Sequence, residues 1–565
     1  MRILPLMMLM ALPDWSLNQR PLPSECVSTL CRLAGTGQFA ELRWPDFSDC
    51  KPQVKDFYEG SGYAPAWVRN GAATSQAEAL IAVLKGAEAE GLNPENYDGP
   101  YWAGRLAKLT DGRGRPAEAD VARFDLALTI SVMRYASDLH FGQANPGLFH
   151  SHFDVEREKR DLPGLAQELT KTADVAAVLR EIEPPFEGYR RTQKALQMYL
   201  AMAREDSGES LPVTAKPVEP GGSYPGTARL CSLLRLLGDL PTDSVVAPAS
   251  DTYEKPLVDA MKHFQARHGL DTDGRIGTAT LVQLNTPLTQ RINQLKLTLE
   301  RWRWVPHQFS RPPVVVNIPE FRLRGLSDTY STEIEMKVVV GKAYRHQTPV
   351  FSSDMKFIVF RPYWNVPRSI LLAEVLPKLR RDRSYLAKNG YEIVTSQGSV
   401  VTNGAVDEPA LAQLRSGLLS IRQVPGPKNS LGLIKFLFPN EYNVYLHATP
   451  ATELFSKSRR DFSHGCIRIE RPELLAEWVL KDHKDWPKER ITEVMKGSKT
   501  LQVNLSSTIP VLIIYATAVV LGNGEVHFFE DIYGHDASLE RLLAKRYPCS
   551  ARQPTSGARG LHPRE

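Results

Sequence analysis

The sequence predicts a multidomain α+β chain: a helical scaffold, a small helical module, then a β-rich domain interrupted by a helical insertion. Three observations carry this prediction. From about residue 47 to 204 apolar residues recur at intervals of three and four, the period of a helix face. From Pro312 the apolar period drops to two, the period of a half-buried strand. The chain also has 565 residues, and a single hydrophobic core stops growing at roughly 250–300 residues.

The elements follow in chain order. Arg2 and the apolar run Ile3–Leu12 have the make-up of an export-signal core of about 7–15 residues. The run is shorter than the ~20 apolar residues of a membrane span. Residues 1–25 are therefore expected to direct export, and a membrane is met at most through this N-terminal segment. The scaffold is expected over 45–225. Its helices include "EALIAVLKGAEAEGL" (Glu78–Leu92) and "ADVARFDLALTISVMRYASDL" (Ala119–Leu139), with turns and aromatics from "FYEGSGYAPAWV" (Phe57–Val68). Glu205–Gly226 is rich in Pro, Gly, Ser and Glu, which reads as a linker or exposed loop with no core of its own.

The module expected over 226–290 ends in "YEKPLVDAMKHFQARHGLDTDGRIGTATLVQLNTPL". Leu257, Met261 and Phe264 fall on one helix face. Gly269 closes that helix, Asp273-Gly274 turns the chain, and Thr278–Leu284 starts a second helix. The combination FQ-x-x-HGL-x-x-DG-x-IG-x-x-T-x-x-x-LN resembles the peptidoglycan-binding domain of bacterial wall enzymes. That resemblance implies attachment to cell-wall polymer.

The β-rich domain is expected over 305–530. "PPVVVNIPEFRL" (Pro312–Leu323) is a strand candidate. "EIEMKVVVGK" (Glu333–Lys342) alternates, with Ile334, Met336, Val338 and Val340 on one face. "MKFIVFRPYWNV", "NVYLHATP" and "IPVLIIYATAVV" follow, and Asn523-Gly524 predicts a hairpin whose two turn residues both take positive φ. A charged insertion of helical character, about 368–428, is expected to cover one face as a cap. Residues 531–565 are expected to form a C-terminal helix and a disordered tail.

Composition narrows the function. Net charge is +5, from 69 basic and 64 acidic residues, without a Lys/Arg run interleaved with aromatics. Nucleic acid is excluded on that footprint. No Gly-rich phosphate loop or calcium loop is present, so no cofactor is expected. Cys26, Cys31, Cys50, Cys231, Cys466 and Cys549 lack paired C-x-x-C spacing. A disulfide among the first three is one expectation for an oxidising compartment.

Cys466 stands in "DFSHGCIRIERPELL" (Asp461–Leu475). Four readings compete for it: nucleophile, zinc ligand with His447, His464 and His483, disulfide half, or core filling. Its neighbours Ser463, His464, Gly465 and Arg468 are polar or small, unlike those of a buried structural cysteine. Pro472 places a helix shortly after it, so the thiol is expected on a loop approaching a helix N-terminus, where its pKa falls. Gly465 lets the backbone approach a substrate. A nucleophilic thiol needs a base, and His447 ends the strand "NVYLHATP" on the same face as Tyr445.

His447 and Cys466, the latter within S-H-G-C-I-R, together resemble the catalytic signature of the L,D-transpeptidases. "PYWNVPRSI", "PGPKNSLGLIKFLFPNEYNVYLHATP" and "IPVLIIYATA" resemble the large members of that family, with their scaffold, peptidoglycan-binding domain and cap. The resemblance implies a peptidoglycan cross-linking enzyme of the cell envelope or periplasm, acting in wall organisation and cell shape. Its partners would be donor and acceptor stem tetrapeptides. Cys466 would be the nucleophile, His447 the general acid/base, and Gly465 a source of oxyanion-binding N–H. The Ala448 carbonyl would orient His447, at a position where many family members have glycine. Arg468 is expected to anchor a substrate carboxylate or to form a structural salt bridge. Ser463 and His464 would shape the loop and bind substrate, and Trp364 would line the donor groove or pack in a core. The products would be 3→3 cross-links and free D-alanine. The alternatives are L,D-carboxypeptidase action, attachment of a wall protein through the same acyl-enzyme, and a non-catalytic wall-binding scaffold.

Overall fold

A computed structural model describes residues 24–110, 116–149, 151–152, 160–245, 251–344, 346–404 and 406–545. The expected export segment, apart from its last two residues, lies outside the described residues, as do Cys549 and the expected tail. Among the described residues no helix is long and apolar enough to cross a membrane. The chain divides into two compact units: Met1–Leu84 with Tyr97–Arg134 and Asp161–Val175, and Lys85–Asn96 with Tyr135–Arg160 and Ala176–Glu565.

The first unit is helical and is organised around one buried carboxylate. Asp125 accepts hydrogen bonds from the Tyr58 hydroxyl at 2.7 Å and from the Ala66 and Trp67 amides at 3.0 and 2.7 Å. Burial raises its pKa to about 6. The Phe57–Val68 aromatics are thus pinned to one helix. Cys26 and Cys50 are buried and Cys31 exposed, and no disulfide joins the three, so the expected pairing is not made.

In the second unit the small helical module follows its sequence reading closely. Leu257, Met261 and Phe264 lie buried on the helix Lys255–Arg267. Gly269 and Gly274 take φ of +66° and +74°. Gln265 explains the fixed spacing to the Asp-Gly turn, because its side chain bonds Asp273 and the Gly274 amide. The preceding stretch differs from expectation. Leu211, Val218 and Tyr224 are buried in the module core, and Asn285 bonds both main-chain groups of Leu211. A segment too polar to make a core can still complete a neighbour's.

Eight strands of the β-rich domain close into a barrel: β1 (Val314–Asn317), β2 (Arg322–Leu326), β3 (Thr332–Gly341), β4 (Val350–Phe360), β5 (Ile434–Leu437), β6 (Leu446–His447), β7 (Ile467–Ile469) and β8 (Leu501–Ile514). The order is β5-β6-β7-β3-β2-β1-β8-β4, and β4 returns to pair β5. Met336, Val338 and Val340 from β3 meet Val314, Ile358, Phe436, Leu446 and Ile467 in the core. The predicted hairpin Ala518–Val520/Val526–Phe528 is present. Of its two turn residues only Gly524 takes positive φ, since the loop spans five residues, Leu521 to Glu525, instead of two.

The insertion is mixed, not helical throughout. Besides short helices it carries a four-stranded sheet built from Val400–Thr402, Tyr391–Thr395, Leu419–Gln423 and Trp364–Asn365. Its own core includes Leu379, Leu386, Ile393, Leu414 and Ile421. The strands are three to five residues long except for the two-residue edge strand, too brief for a period of two to stand out among charged neighbours.

Candidate active site

The site follows from strand alternation. β5 and β6 are antiparallel with Lys435 opposite His447. β6 and β7 are parallel with Leu446 beside Ile467 and His447 beside Arg468. Ile434, Phe436, Leu446, Ile467 and Ile469 are buried in the barrel core. Successive side chains point to opposite faces, so Lys435, Tyr445, His447, Cys466 and Arg468 share the outer face. Residues nineteen positions apart in sequence are brought to neighbouring strands by this register.

The turn before β7 is held from both sides. The Ser463 hydroxyl donates to the Cys466 carbonyl at 2.5 Å and accepts from the Gly465 amide at 3.2 Å. Thr348 donates to the Gly465 carbonyl at 2.7 Å and accepts from the Gly341 amide. Gly465 has φ +111°, a conformation L side chains avoid, which is why glycine stands there. Its amide, expected to hold an oxyanion, is directed to Ser463 instead.

His447 is 5% exposed, and its Nδ1 lies 2.6 Å from the Ala448 carbonyl oxygen. A carbonyl only accepts, so Nδ1 carries the proton and Nε2 is left with its lone pair. Burial, then the charges of Arg468 and Lys435, hold this imidazole down at about 3 against hydrogen bonding to Ala448. It is neutral across the physiological range. The thiol differs from expectation. Burial raises the Cys466 pKa, opposed by Tyr445 backbone and hydroxyl hydrogen bonds and by Arg468 and Lys435. The helix expected to lower it, Pro472–Val479, begins only after β7 has intervened. The resting pair is a neutral thiol and a neutral imidazole.

The other expected residues divide. Arg468 is partly buried, and among the described residues it forms no ion pair; Glu453 is the acidic group whose charge it feels. The structural salt bridge is therefore not made. His464 donates from Nε2 to Glu374 in the cap at 2.7 Å, and its ring lies 4.6 Å from that of His346. Trp364 packs on the cap core 6.3 Å from the Tyr391 ring and hydrogen-bonds the Tyr445 side chain. His483 lies against Ser506, so the four-residue zinc arrangement is not assembled.

Sequence reasoning missed Lys435, Thr348 and Gly432. Gly432 has φ +62°, and a Cβ there would lie 2.6 Å from the Ala448 Cβ. It packs directly on the residue that orients His447. The stretch "SLGLIKF" offered one signal: a lysine inside an apolar strand, at a position two-residue alternation assigns to the face opposite Ile434 and Phe436.

Three family models match stretches of the chain. Residues 312–503 match the L,D-transpeptidase catalytic domain, 229–284 the "Putative peptidoglycan binding domain" and 52–196 the scaffold domain family. A curated Haemophilus influenzae protein named "Putative L,D-transpeptidase" is 32% identical over 259 residues, 45% of this chain and 51% of that protein. The match thus spans about half the length of the relative.

Proposed function

From the premise that the chain carries an L,D-transpeptidase catalytic domain and a peptidoglycan-binding domain, we propose that it forms 3→3 cross-links between stem peptides outside the cytoplasmic membrane, through a thioester on Cys466. The observation that supports this most is the outer-face cluster of Cys466 with a neutral, carbonyl-oriented His447. Sγ attacks the carbonyl of the third residue of a donor tetrapeptide while its proton passes to His447 Nε2. Because thiol and imidazole are both neutral at rest, proton transfer accompanies attack and does not precede it. The Cys466 amide faces the developing oxyanion, a contact worth about 3–4 kcal/mol. The C–N bond breaks, His447 returns the proton to the departing D-alanine amine, and a thioester remains. An acceptor side-chain amine then gives a proton to His447 and attacks. The C–S bond breaks and the proton returns to sulfur.

Arg468, lacking an ion pair, suits a substrate carboxylate through its planar fork. The His464–Glu374 bond and the Trp364–Tyr445 contact border the reacting groups with the cap, which gives both residues a place in the peptide groove. Muropeptide analysis tests the reading: cells making the wild-type protein should accumulate 3→3 dimers, and Cys466→Ala should abolish them. Shortened monomers alone would identify a carboxypeptidase, and protein-linked muropeptides a wall-attachment activity. Unchanged wall chemistry with both forms would leave a binding scaffold.

A further inference from the structure

We propose that the Lys435 ammonium is the counter-charge of the Cys466 thiolate, a positioning residue for the nucleophile. The inference rests on the reading of Cys466 as nucleophile.

Lys435 occupies the one position on β5 that faces His447 across the strand pair. Its Nζ lies 5.8 Å from the centroid of the Tyr445 ring, and Tyr445 hydrogen-bonds the thiol. On its other side it is paired with Val359 of β4, which is apolar. Beyond β6 on the same outer face lie Arg468 of β7 and Cys466 just before it, and Glu453 acts on Arg468. Among the described residues Lys435 makes no ion pair with a carboxylate. The one charge that favours its protonated form is the Cys466 sulfur, while burial disfavours it. A partly buried ammonium without a carboxylate partner is costly, and the Cys466 sulfur, whose charge acts on it, gains negative charge as its proton leaves. Arg468 supplies a second positive charge, which feels the Cys466 sulfur first and Glu453 after it, whereas no carboxylate acts on Lys435. The same charge disfavours imidazolium at His447, so the help Lys435 gives at sulfur is partly offset at the base while the proton sits on Nε2.

The experiment follows the rate of Cys466 alkylation by iodoacetamide, resolved by peptide mass spectrometry from pH 6 to 10. It needs no turnover, so it stands apart from the cross-linking test. Lys435→Met and Lys435→Gln should alkylate about tenfold more slowly near neutral pH, as expected for losing one neighbouring charge, with the profile displaced to higher pH. Lys435→Arg should retain the wild-type profile. Coupling is reciprocal, so a second chain keeps Lys435 intact: in Cys466→Ser, Lys435 should be acylated faster by an amine-reactive ester at alkaline pH than in wild type. Superimposable alkylation profiles for Met, Gln and wild type, or equal Lys435 acylation with and without the thiol, would overturn the proposal even if Cys466→Ala abolishes cross-linking.

Discussion

Gly432→Ala perturbs a residue that touches neither sulfur nor imidazole, yet its effect on both can be worked from the packing. Alanine at φ +62° costs about 1–2 kcal/mol over glycine. The new Cβ would lie 2.6 Å from the Ala448 Cβ and 2.8 Å from both the Ala448 carbonyl carbon and the Thr449 nitrogen. Carbon atoms in contact sit at about 3.5–4.0 Å, so the β6 exit must move by about 1 Å. Overpacking of that kind costs about 1–3 kcal/mol more. The displaced group is the carbonyl that lies 2.6 Å from His447 Nδ1, and a 1 Å shift takes that bond to the limit of about 3.5 Å. Losing alignment at that scale costs about 100-fold in rate. Acylation of Cys466 by a carbapenem, a reactivity that the L,D-transpeptidase resemblance implies, followed by intact-protein mass spectrometry, reads the rate, and urea unfolding reads a loss of about 2–5 kcal/mol, the sum of the two costs. Adding Ala448→Gly removes the 2.6 Å contact but not the two at 2.8 Å, so recovery should be partial. If Gly432→Ala acylates at the wild-type rate, the argument that Ala448 orients His447 is refuted.

Two further outcomes follow from buried groups. Ser463→Ala leaves the Cys466 carbonyl and Gly465 amide without their shared hydroxyl. Each orphaned group costs about 1–3 kcal/mol, so stability should fall by about 2–6 kcal/mol and Cys466 acylation should slow. An unchanged thermal midpoint would show that the turn holds itself. His447 titrates at about 3 when folded and near 6.5 when unfolded. The unfolded chain therefore takes up the proton first as pH falls. Stability from the neutral imidazole is complete above about pH 6.5 and is lost progressively toward pH 3. At pH 4.5 the loss is about 2–3 kcal/mol. Comparing urea unfolding of wild type and His447→Gln at pH 7 and 4.5 isolates it, and parallel pH dependence of the two chains would contradict a buried neutral histidine.

Much of the fold and site was legible in sequence because it rests on local rules. Period two in "EIEMKVVVGK" assigned Met336, Val338 and Val340 to the core, and they are there. The turn glycines of the wall-binding module take left-handed conformations, and Gly465 does so beside Cys466, which marks a tight, polar turn. Alternation in "NVYLHATP" put Tyr445 and His447 on one face. Each of these depends on residues within a few positions of one another.

What tertiary structure alone decided depends on register and on burial. Lys435 reaches the site because β5 and β6 pair it with His447. Gly432 matters because its left-handed turn meets Ala448. The linker's Leu211 and Val218 found a core in the module that follows. The thiol pKa reversed its expected direction for the same reason. A helix N-terminus acts only about its own first turn, β7 separates that terminus from Cys466, and desolvation is set by every chain segment that packs around the sulfur. No stretch of sequence carries that sum; only the folded neighbourhood does.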